Sequence, residues 1–130
     1  DVDHFKRVND AHGHDVGDAV LREISQELQR IFRSSDYLAR WGGEEFLIAL
    51  THTGMQDARE VLERLRGDIA DLRSLSVPAV TISMGAAAWH PDSDLHTVLK
   101  QADLALYQAK AGGRNQLVAA TEPRPQLGAA

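Results

Sequence analysis

The sequence contains no cysteine among its 130 residues. The absence of cysteine excludes disulfide bonds and cysteine-ligated metals, and it is compatible with a reducing cytoplasm. Long apolar runs are lacking too: the central run from Phe46 to Leu50 is far too short to span a bilayer, and no signal peptide is evident. We therefore expect a cytoplasmic domain, which a full-length protein could still anchor to a membrane.

Positive charge is also scarce. The chain has 14 lysines and arginines against 19 aspartates and glutamates, which gives a net charge of −5. Binding to a nucleic-acid polymer needs a basic face, so DNA and RNA are not expected partners. An acidic protein can still hold a phosphorylated ligand if a metal ion and a few local cations supply positive charge.

Hydrophobic periodicity predicts one domain with the element order β-α-β-β-α-β and an added α-β pair. The predicted helices cover residues 5–12, a long stretch from Asp18, 56–73 and 95–110, and the predicted strands cover 1–3, 37–41, 45–50, 80–89 and 116–119. This order is typical of an α+β, ferredoxin-like fold whose mostly antiparallel sheet is flanked by helices. We expect the domain to span residues 1–120, with a disordered tail over 121–130.

A glycine pair separates two of the predicted strands. Gly42 and Gly43 predict a two-residue hairpin, because primed turns need the positive φ that glycine adopts readily. Both faces of the strand over 45–50 are apolar, which predicts a central position in the sheet.

Carboxylates flank two of the predicted strands. Asp1 and Asp3 lie at the carboxyl end of the first strand, and Glu44 and Glu45 lie at the mouth of the hairpin. Carboxylates from these neighbouring elements could converge on a hard cation such as Mg²⁺, which removes their mutual repulsion. The helix that opens at Phe5–Lys6 offers backbone N–H groups to phosphate oxygens. The alternative is that the hairpin glutamates are solvated charges at an exposed turn.

Three segments carry a resemblance to a known family. They are DVDHFKRVNDAHGHDVGD (1–18), RSSDYLARWGGEEF (33–46) and LYQAKAGGRN (106–115). In this order and at these separations they resemble the GGDEF family of diguanylate cyclases, and the match runs from residue 1 to about 119. The family has a nucleotidyl-cyclase-like fold, with a helix and a hydrophobic strand before the first segment that this sequence lacks. We therefore expect an N-terminally truncated catalytic domain that binds metal weakly and turns over poorly alone, with a sensor domain upstream in the full-length protein.

The resemblance implies an activity and a metal site. The family joins two GTP molecules into cyclic di-GMP and releases pyrophosphate, and each domain of a homodimer holds one GTP. The implied ligands of Mg²⁺ or Mn²⁺ are Asp1, Glu44 and the main-chain carbonyl of Val2. Glu44 is also the implied acceptor of the 3′-hydroxyl proton, and Glu45 assists by metal contact or by positioning.

The resemblance also assigns residues to GTP. Asn9 and Asp18 correspond to guanine readers, since a carboxylate can accept from N1–H and the 2-amino group together. The alternative for Asp18 is a helix N-cap. The remaining implied contacts are His14 near the base, the Phe5 amide and Lys6 at the phosphates, Gly42 and Gly43 as room for the phosphates, and the phosphate-holding pair Lys110 and Arg114. For Gly42 and Gly43 the turn itself is an alternative role, and for Lys110 and Arg114 the alternative is cations that favour a helix C-terminus.

A further implied site is regulatory. Arg33 and Asp36 match the RxxD inhibitory site at which the product, cyclic di-GMP, holds two domains in an unproductive pose, and Arg64 is a secondary contact. Arginine suits such a site through bidentate phosphate contacts and stacking on guanine. The alternative is an exposed i,i+3 ion pair worth about 0.3 kcal/mol.

Two rival functions use the same residues. A degenerate domain could bind GTP or cyclic di-GMP as a sensor without turnover, and an interaction domain could persist for its dimer contacts alone. Either rival predicts lost site residues, whereas the motif residues named above are intact.

Overall fold

Four helices and four short strands follow one another in the computed structural model, which describes residues 1–74 and 77–121. The elements are α1 (Phe5–His12), α2 (His14–Ile31), β1 (Tyr37–Arg40), β2 (Phe46–Ala49), α3 (Met55–Asp71), β3 (Met84–Ala86), α4 (Leu95–Ala111) and β4 (Leu117–Ala119). The mixed order confirms the predicted fold class. Apart from Thr121, the tail predicted over 121–130 lies outside the described residues. Within the described ranges no helix is long and apolar enough to cross a membrane.

The strands form two pairs that the opening segment joins. β1 and β2 are antiparallel, with Tyr37 opposite Ala49, whereas β3 and β4 are parallel, with Met84 opposite Leu117. Residues 1–3 lie between the pairs. On one side the Val2 amide donates to the Glu44 carbonyl oxygen at 3.2 Å, and on the other side the backbone of residues 1–3 bonds to that of residues 81–83.

The structure shortens two of the predicted strands. The predicted strand over 1–3 is reduced to one antiparallel bridge between Val2 and Ile82, and the strand predicted over 80–89 is regular only over β3. The prediction that the strand over 45–50 is central is wrong for the described part of the chain, where the ladder of β2 is with β1 alone. The opening segment reaches only Glu44, just before β2 begins.

The predicted hairpin turn and helix start are also corrected. In the described ranges only Gly13 and Gly113 are glycines with positive φ, so Gly42 and Gly43 do not form a primed turn. Instead the amides of Trp41 and Gly42 both donate to the Glu45 carbonyl oxygen, which closes a longer loop without positive φ. The long helix begins at His14, four residues before the predicted start, because Gly13 alone separates α1 from α2.

The core lies between the helices and the strand segments. Its helical part is a stripe on α2 and a stripe on α3, and the buried members are Val20, Leu21, Ile24, Leu28, Leu62, Leu65 and Ile69. Complete burial of a leucine such as Leu65, which is 1% exposed, stabilises the fold by about 1.5–3 kcal/mol. This packing fixes α2 and α3 beside the opening segment, where the candidate site lies.

Close backbone contact fixes α4 against β3. A Cβ added at Gly85 would overlap the Ala102 carbonyl oxygen and the Leu106 amide nitrogen. The helix begins at an N-cap, since the Thr97 amide donates to Asp94 Oδ1 at 2.8 Å. Because the backbone of α4 packs directly on β3, the last turn of α4 lies next to the opening segment.

The Gly85→Ala variant tests this contact. Neither backbone atom can move away without shifting α4, so we expect a loss of about 1–3 kcal/mol in the free energy of unfolding. Gly67→Ala is the matched control: it lies inside α3, nothing is within 4 Å of the added Cβ, and a gain of about 0.5–1 kcal/mol is expected. Urea unfolding measures both variants, and equal effects would contradict the close approach of α4.

Candidate functional site

The opening segment brings the first candidate carboxylate to the hairpin loop. The Asp1 side chain is only 9% exposed, and the neighbouring Val2 amide donates to the Glu44 carbonyl oxygen. The N–H and C=O groups of one extended residue point to the same side, so the Val2 carbonyl also faces the hairpin. The structure therefore places the three predicted metal donors in one region.

A lysine from α4 reaches the same region. Lys110 Nζ lies 2.8 Å from Asp1 Oδ2. The ammonium group offsets the negative charge of the largely buried carboxylate, which is unfavourable without a partner. One ion pair thus joins a residue predicted to hold a metal to a residue predicted to hold phosphate.

The hairpin carboxylates act electrostatically on the Asp1 position. The charges of Glu45 and Glu44 lie near enough to Asp1 to favour positive charge there.

The donor set fits a divalent cation that arrives with a phosphorylated ligand. Across residues 1–74 and 77–121, neither Glu44 nor Glu45 has a side-chain hydrogen bond or ion pair, and the Val2 carbonyl oxygen accepts no hydrogen bond. In the same part of the chain no three acidic or histidine side chains form a metal cage. Mg²⁺ commonly uses one or two carboxylates with waters and substrate phosphates, and carboxylate and carbonyl oxygens also suit Mn²⁺. The oxygen donors of Asp1, Val2 and Glu44 meet that need.

Asp3 is not available as a ligand. Its carboxylate is buried and accepts from Thr81 Oγ1 at 2.7 Å, from Ser83 Oγ at 2.6 Å and from the Asn115 amide at 3.0 Å. Of the two acids in the opening segment, only Asp1 can therefore serve a ligand.

The hairpin loop is open above its glycines. A Cβ added at Gly43 would meet nothing within 4 Å, and one at Gly42 would meet only the Glu45 side chain at 3.7 Å. Arg40 Nη2 donates to the Gly43 carbonyl oxygen at 2.7 Å and holds the loop. Local packing does not require glycine at either position, which leaves the space open to a ligand.

Asn9 lies against the second helix through a close contact. A Cβ added at Gly17 would overlap Asn9 Oδ1 and would lie 3.1 Å from the end of the Phe5 ring. Asn9 Oδ1 is buried and has no hydrogen-bond partner in the described part of the chain. An unpaired buried acceptor is unfavourable by about 1–3 kcal/mol, which a bound donor would recover.

The other predicted base contacts lie on α2. His14 and Asp18 are one helical turn apart on the same face, and both are exposed. Asp18 follows Gly17, which contacts Asn9. The alternative of Asp18 as an N-cap is wrong, because Gly13 occupies the N-cap position of α2.

The start of α1 offers backbone donors beside the acids. The Phe5 side chain belongs to the core, so only its amide can contact a ligand. The amides of Phe5 and Lys6 have no acceptor among residues 1–74 and 77–121. The Lys6 side chain is exposed.

The second predicted phosphate contact sits in an unusual loop. Arg114 (φ +63°) and Asn115 (φ +48°) are consecutive non-glycine residues in the left-handed region, which is unfavourable for most side chains. Arg114 is exposed, and its guanidinium has no partner in the described part of the chain. Arg66 Nη1 donates to Asn115 Oδ1 at 2.9 Å and ties the loop to α3.

The predicted regulatory pair forms a structural cluster. The Asp36 side chain is 2% exposed and accepts from the amides of Arg33 and Thr51 at 3.0 and 3.1 Å. Arg33 is 62% exposed, and its Nε lies 3.6 Å from Asp36 Oδ2. Arg33 Nη2 donates to the Thr51 carbonyl oxygen and to Thr53 Oγ1, both at 3.0 Å. The i,i+3 ion pair between Arg33 and Asp36 therefore forms, but its aspartate is buried rather than exposed.

These contacts keep Asp36 ionised. Burial alone would raise the pKa of its carboxyl group, but the amides of Thr51 and Arg33 and the Arg33 charge outweigh burial and hold the pKa below its usual value. Arg64 lies on α3, where its Nε is 3.8 Å from Asp68 Oδ2, and its side chain is 64% exposed.

Several of these residues were not predicted from the sequence. Asn115, Arg66, Arg40 and Gly17 carry contacts in the site, yet none was assigned a role, and Asp3 was predicted only as a candidate cation ligand. Asp3 meets Asn115 across 112 residues of sequence, and no local pattern shows such a pair. The only available sequence signal was the asparagine that follows the Gly112–Gly113 pair, since asparagine tolerates the left-handed conformation.

Comparison with known proteins identifies the class of domain. The profile described as "Diguanylate cyclase, GGDEF domain" matches residues 1–116. The chain therefore belongs to the GGDEF-domain family of diguanylate cyclases, which confirms the resemblance found in its three segments.

Named relatives support this placement. Diguanylate cyclase DgcP of Pseudomonas aeruginosa is 43% identical over 120 residues, which are 90% of this chain and 18% of that protein. The GGDEF domain of DgcB from Caulobacter crescentus, solved in complex with c-di-GMP, is 36% identical with a TM-score of 0.86 and covers 92% of this chain and 74% of that one. The active GGEEF domain of a diguanylate cyclase from Vibrio cholerae is 32% identical with a TM-score of 0.86, over 95% and 80% of the two chains. The chain spans 18% of the length of DgcP and 32% of the length of the probable diguanylate cyclase DgcC of Escherichia coli.

The buried Asp36 carboxylate predicts a pH-dependent stability. Asp36→Asn should lower the free energy of unfolding at pH 7 by about 1–3 kcal/mol, since it puts a donor against the Arg33 amide. A lowered native pKa stabilises the fold above the unfolded value, about 3.9 for aspartate, and this stabilisation is lost as the pH falls through the native value. The difference between wild type and variant in urea unfolding should therefore shrink below about pH 4.

The control for Asp36→Asn is Arg33→Ala. This exposed side chain should contribute less than about 1 kcal/mol. A difference for Asp36→Asn that stays constant from pH 7 to pH 3 would contradict the ionised, hydrogen-bonded carboxylate.

Proposed function

We propose that this chain is the catalytic domain of a diguanylate cyclase, which converts two GTP molecules into cyclic di-GMP and two pyrophosphates. The 3′-hydroxyl oxygen of one GTP attacks the α-phosphorus of the other, the bond to the bridging oxygen breaks, and pyrophosphate leaves. The reverse attack closes the ring. The observation that carries this proposal is the meeting of Asp1, the Glu44 loop and Lys110 at the opening segment.

The base of GTP would bind between the first two helices. Asp18 accepts from the guanine N1–H and 2-amino groups, a pair of donors that adenine lacks. Asn9 brings an unpaired buried acceptor to the same helix pair, and His14 lies one turn before Asp18. These contacts support guanine over adenine.

The phosphates would bind at the opening segment. The unpaired amides of Phe5 and Lys6 face them at the start of α1, and Lys110 and Arg114 supply positive charge from the end of α4. The open space above Gly42 and Gly43 lets the phosphates approach the loop backbone.

A divalent cation, Mg²⁺ or Mn²⁺, would be held by Asp1, Glu44 and the Val2 carbonyl. When bound, the ion neutralises phosphate charge as pyrophosphate leaves. Glu44 accepts the 3′-hydroxyl proton while the new P–O bond forms. Glutamate is a weak base, so the transfer accompanies the attack rather than preceding it. Glu45 assists by contact with the cation or by positioning the loop.

Catalysis requires a homodimer, because each domain holds one GTP and the product is symmetric. The length of the relatives supports further segments in the full-length protein, and we expect a sensor domain upstream. We also propose a cytoplasmic location for the domain, where GTP is available. In this setting the product acts as a second messenger.

Cyclic di-GMP would also inhibit the domain at Arg33, Asp36 and Arg64. The two arginines are exposed and can contact phosphate and guanine. Asp36 is buried, so its role is to hold Arg33 through the amide bond and the ion pair. The DgcB structure solved with c-di-GMP supports recognition of this nucleotide in the family.

A sensor that binds nucleotide without turnover is the second candidate. One observation favours it: the carboxylate of Asp1, a proposed cation ligand, is already paired with Lys110 Nζ at 2.8 Å. Product analysis separates the two candidates, because only the enzyme consumes GTP.

The Glu44→Gln variant tests the proposed reaction. Incubation of the chain with GTP and Mg²⁺ or Mn²⁺, followed by chromatography, should give cyclic di-GMP and two pyrophosphates per product. Glu44→Gln should abolish turnover, at least about 100-fold, with an unchanged unfolding midpoint because its carboxylate has no partner in the described structure. Glu60→Gln, an exposed change on α3, should retain full activity. Product formation by Glu44→Gln would remove Glu44 from the mechanism, and no product even from a version extended upstream by a strand and a helix would favour the sensor.

The Arg33→Ala variant tests product inhibition. Loss of bidentate phosphate contact should weaken inhibition by added cyclic di-GMP about tenfold or more, while the initial rate without product stays the same. Arg59→Ala, which changes an exposed arginine on α3, is the control. Unchanged inhibition in Arg33→Ala would mean that Arg33 and Asp36 form only a surface ion pair and do not bind the product.

A further inference from the structure

We propose that Asp3 is a positioning residue that fastens the loop after α4 and so presents Arg114 to the phosphates of the bound nucleotide. The phosphate ligand rests on the proposed function, whereas the bond between Asp3 and the loop does not. Asp3 does not contact the substrate or the cation; it acts through the backbone of residue 115.

The Asp3 carboxylate joins three separate segments. It is 5% exposed and accepts hydrogen bonds from Thr81, Ser83 and the Asn115 amide. A buried carboxylate is unfavourable unless its oxygens are hydrogen bonded, and these donors satisfy both of them. The buried charge therefore selects the arrangement in which the Asn115 amide points at Asp3.

The loop needs such a contact. Arg114 and Asn115 are both left-handed, a conformation that persists for non-glycine residues only where the surroundings enforce it. The enforcing bonds run from the Asn115 amide to Asp3, from Arg66 to Asn115 Oδ1 and from the Arg114 amide to the Ala109 carbonyl oxygen. Without the bond to Asp3, the loop loses its only link to the opening segment among the described residues.

The same segment holds the end of α4 at two points. Side chains two residues apart on an extended chain lie on one side, so Asp1 and Asp3 face the same way. Asp1 binds Lys110 Nζ at 2.8 Å, and Asp3 binds the Asn115 amide at 3.0 Å. Arg114 lies between these two anchor points in the sequence, and its guanidinium has no partner in residues 1–74 and 77–121. The double anchor therefore fixes the stretch of backbone that carries this free cation next to the opening segment.

The first test uses the unmodified chain. Amide hydrogen exchange should show the Asn115 amide protected at least about tenfold relative to the exposed Gly43 amide, as expected of a hydrogen-bonded amide. Exchange as fast as that of Gly43 would overturn the bond to Asp3. This measurement needs no enzymatic activity.

The second test measures presentation of Arg114, with inorganic tripolyphosphate as the probe. Asp3→Ala should weaken tripolyphosphate binding about tenfold, close to the effect of Arg114→Ala. In the Arg114→Ala background Asp3→Ala should add less than about twofold, because the two changes remove the same contact. Additive effects, or binding by Asp3→Ala within about twofold of wild type, would overturn the positioning role.

Two further variants separate positioning from general stability. Asp3→Asn can still accept from Thr81 and Asn115 with its oxygen and donate to Ser83, so it should restore near-wild-type binding. Ser83→Ala removes one donor to Asp3 but keeps the Asn115 bond, and its binding should be unchanged. If Asp3→Ala does not fold, Asp3→Ser replaces it, since a serine keeps a polar group in the buried position but is too short to reach Asn115. Weak binding by Asp3→Asn or Ser83→Ala would contradict the proposal.

Discussion

Residues 1–3 are hydrogen bonded along both edges, and this contact fixes the positions of Asp1, Val2 and Asp3. On one edge Val2 meets the loop that carries Glu44, and on the other edge the backbone pairs with residues 81–83. The Val2 side chain is 2% exposed, and its burial adds about 1.5–3 kcal/mol to the attachment. With its backbone held on both sides and its middle side chain in the core, the segment can turn Asp1 and Asp3 only toward the end of α4.

The site balances charge with few cations. The chain is acidic overall, and several of its carboxylates are gathered near the opening segment, where they would repel one another. Lys110 offsets Asp1, and hydrogen bonds satisfy Asp3, whereas Glu44 and Glu45 have no partner among the described residues. This distribution leaves unpaired carboxylate oxygens on the hairpin loop and an unpaired guanidinium at Arg114, after the end of α4. The arrangement is suited to a ligand that brings both phosphate oxygens and a divalent cation.

Sequence reasoning predicted the parts of the fold that local patterns determine. Apolar stripes located α2 and α3, and the three motif segments identified the family. It failed where the conformation or the contacts of a residue depended on adjacent residues or on residues far away in the sequence. Asp18 is a strong N-cap residue in isolation, but Gly13 both ends α1 and starts α2, which places Asp18 inside the helix. Gly42 and Gly43 lack positive φ because both Trp41 and Gly42 donate to Glu45 and lengthen the loop. The hydrogen-bonding role of Asp3 could not be predicted from the sequence, because its donors lie 78 to 112 residues away.

The central claim is that Asp1, Val2 and Glu44 share one divalent cation with a guanosine triphosphate. A crystal structure with Mn²⁺ and 3′-deoxy-GTP, which lacks the attacking hydroxyl, tests this claim directly. The account predicts an anomalous manganese peak about 2.1 Å from oxygens of all three residues, with the guanine between Asn9 and Asp18. A manganese ion bound elsewhere, or a nucleotide bound while the carboxylates of Asp1 and Glu44 remain apart, would contradict it.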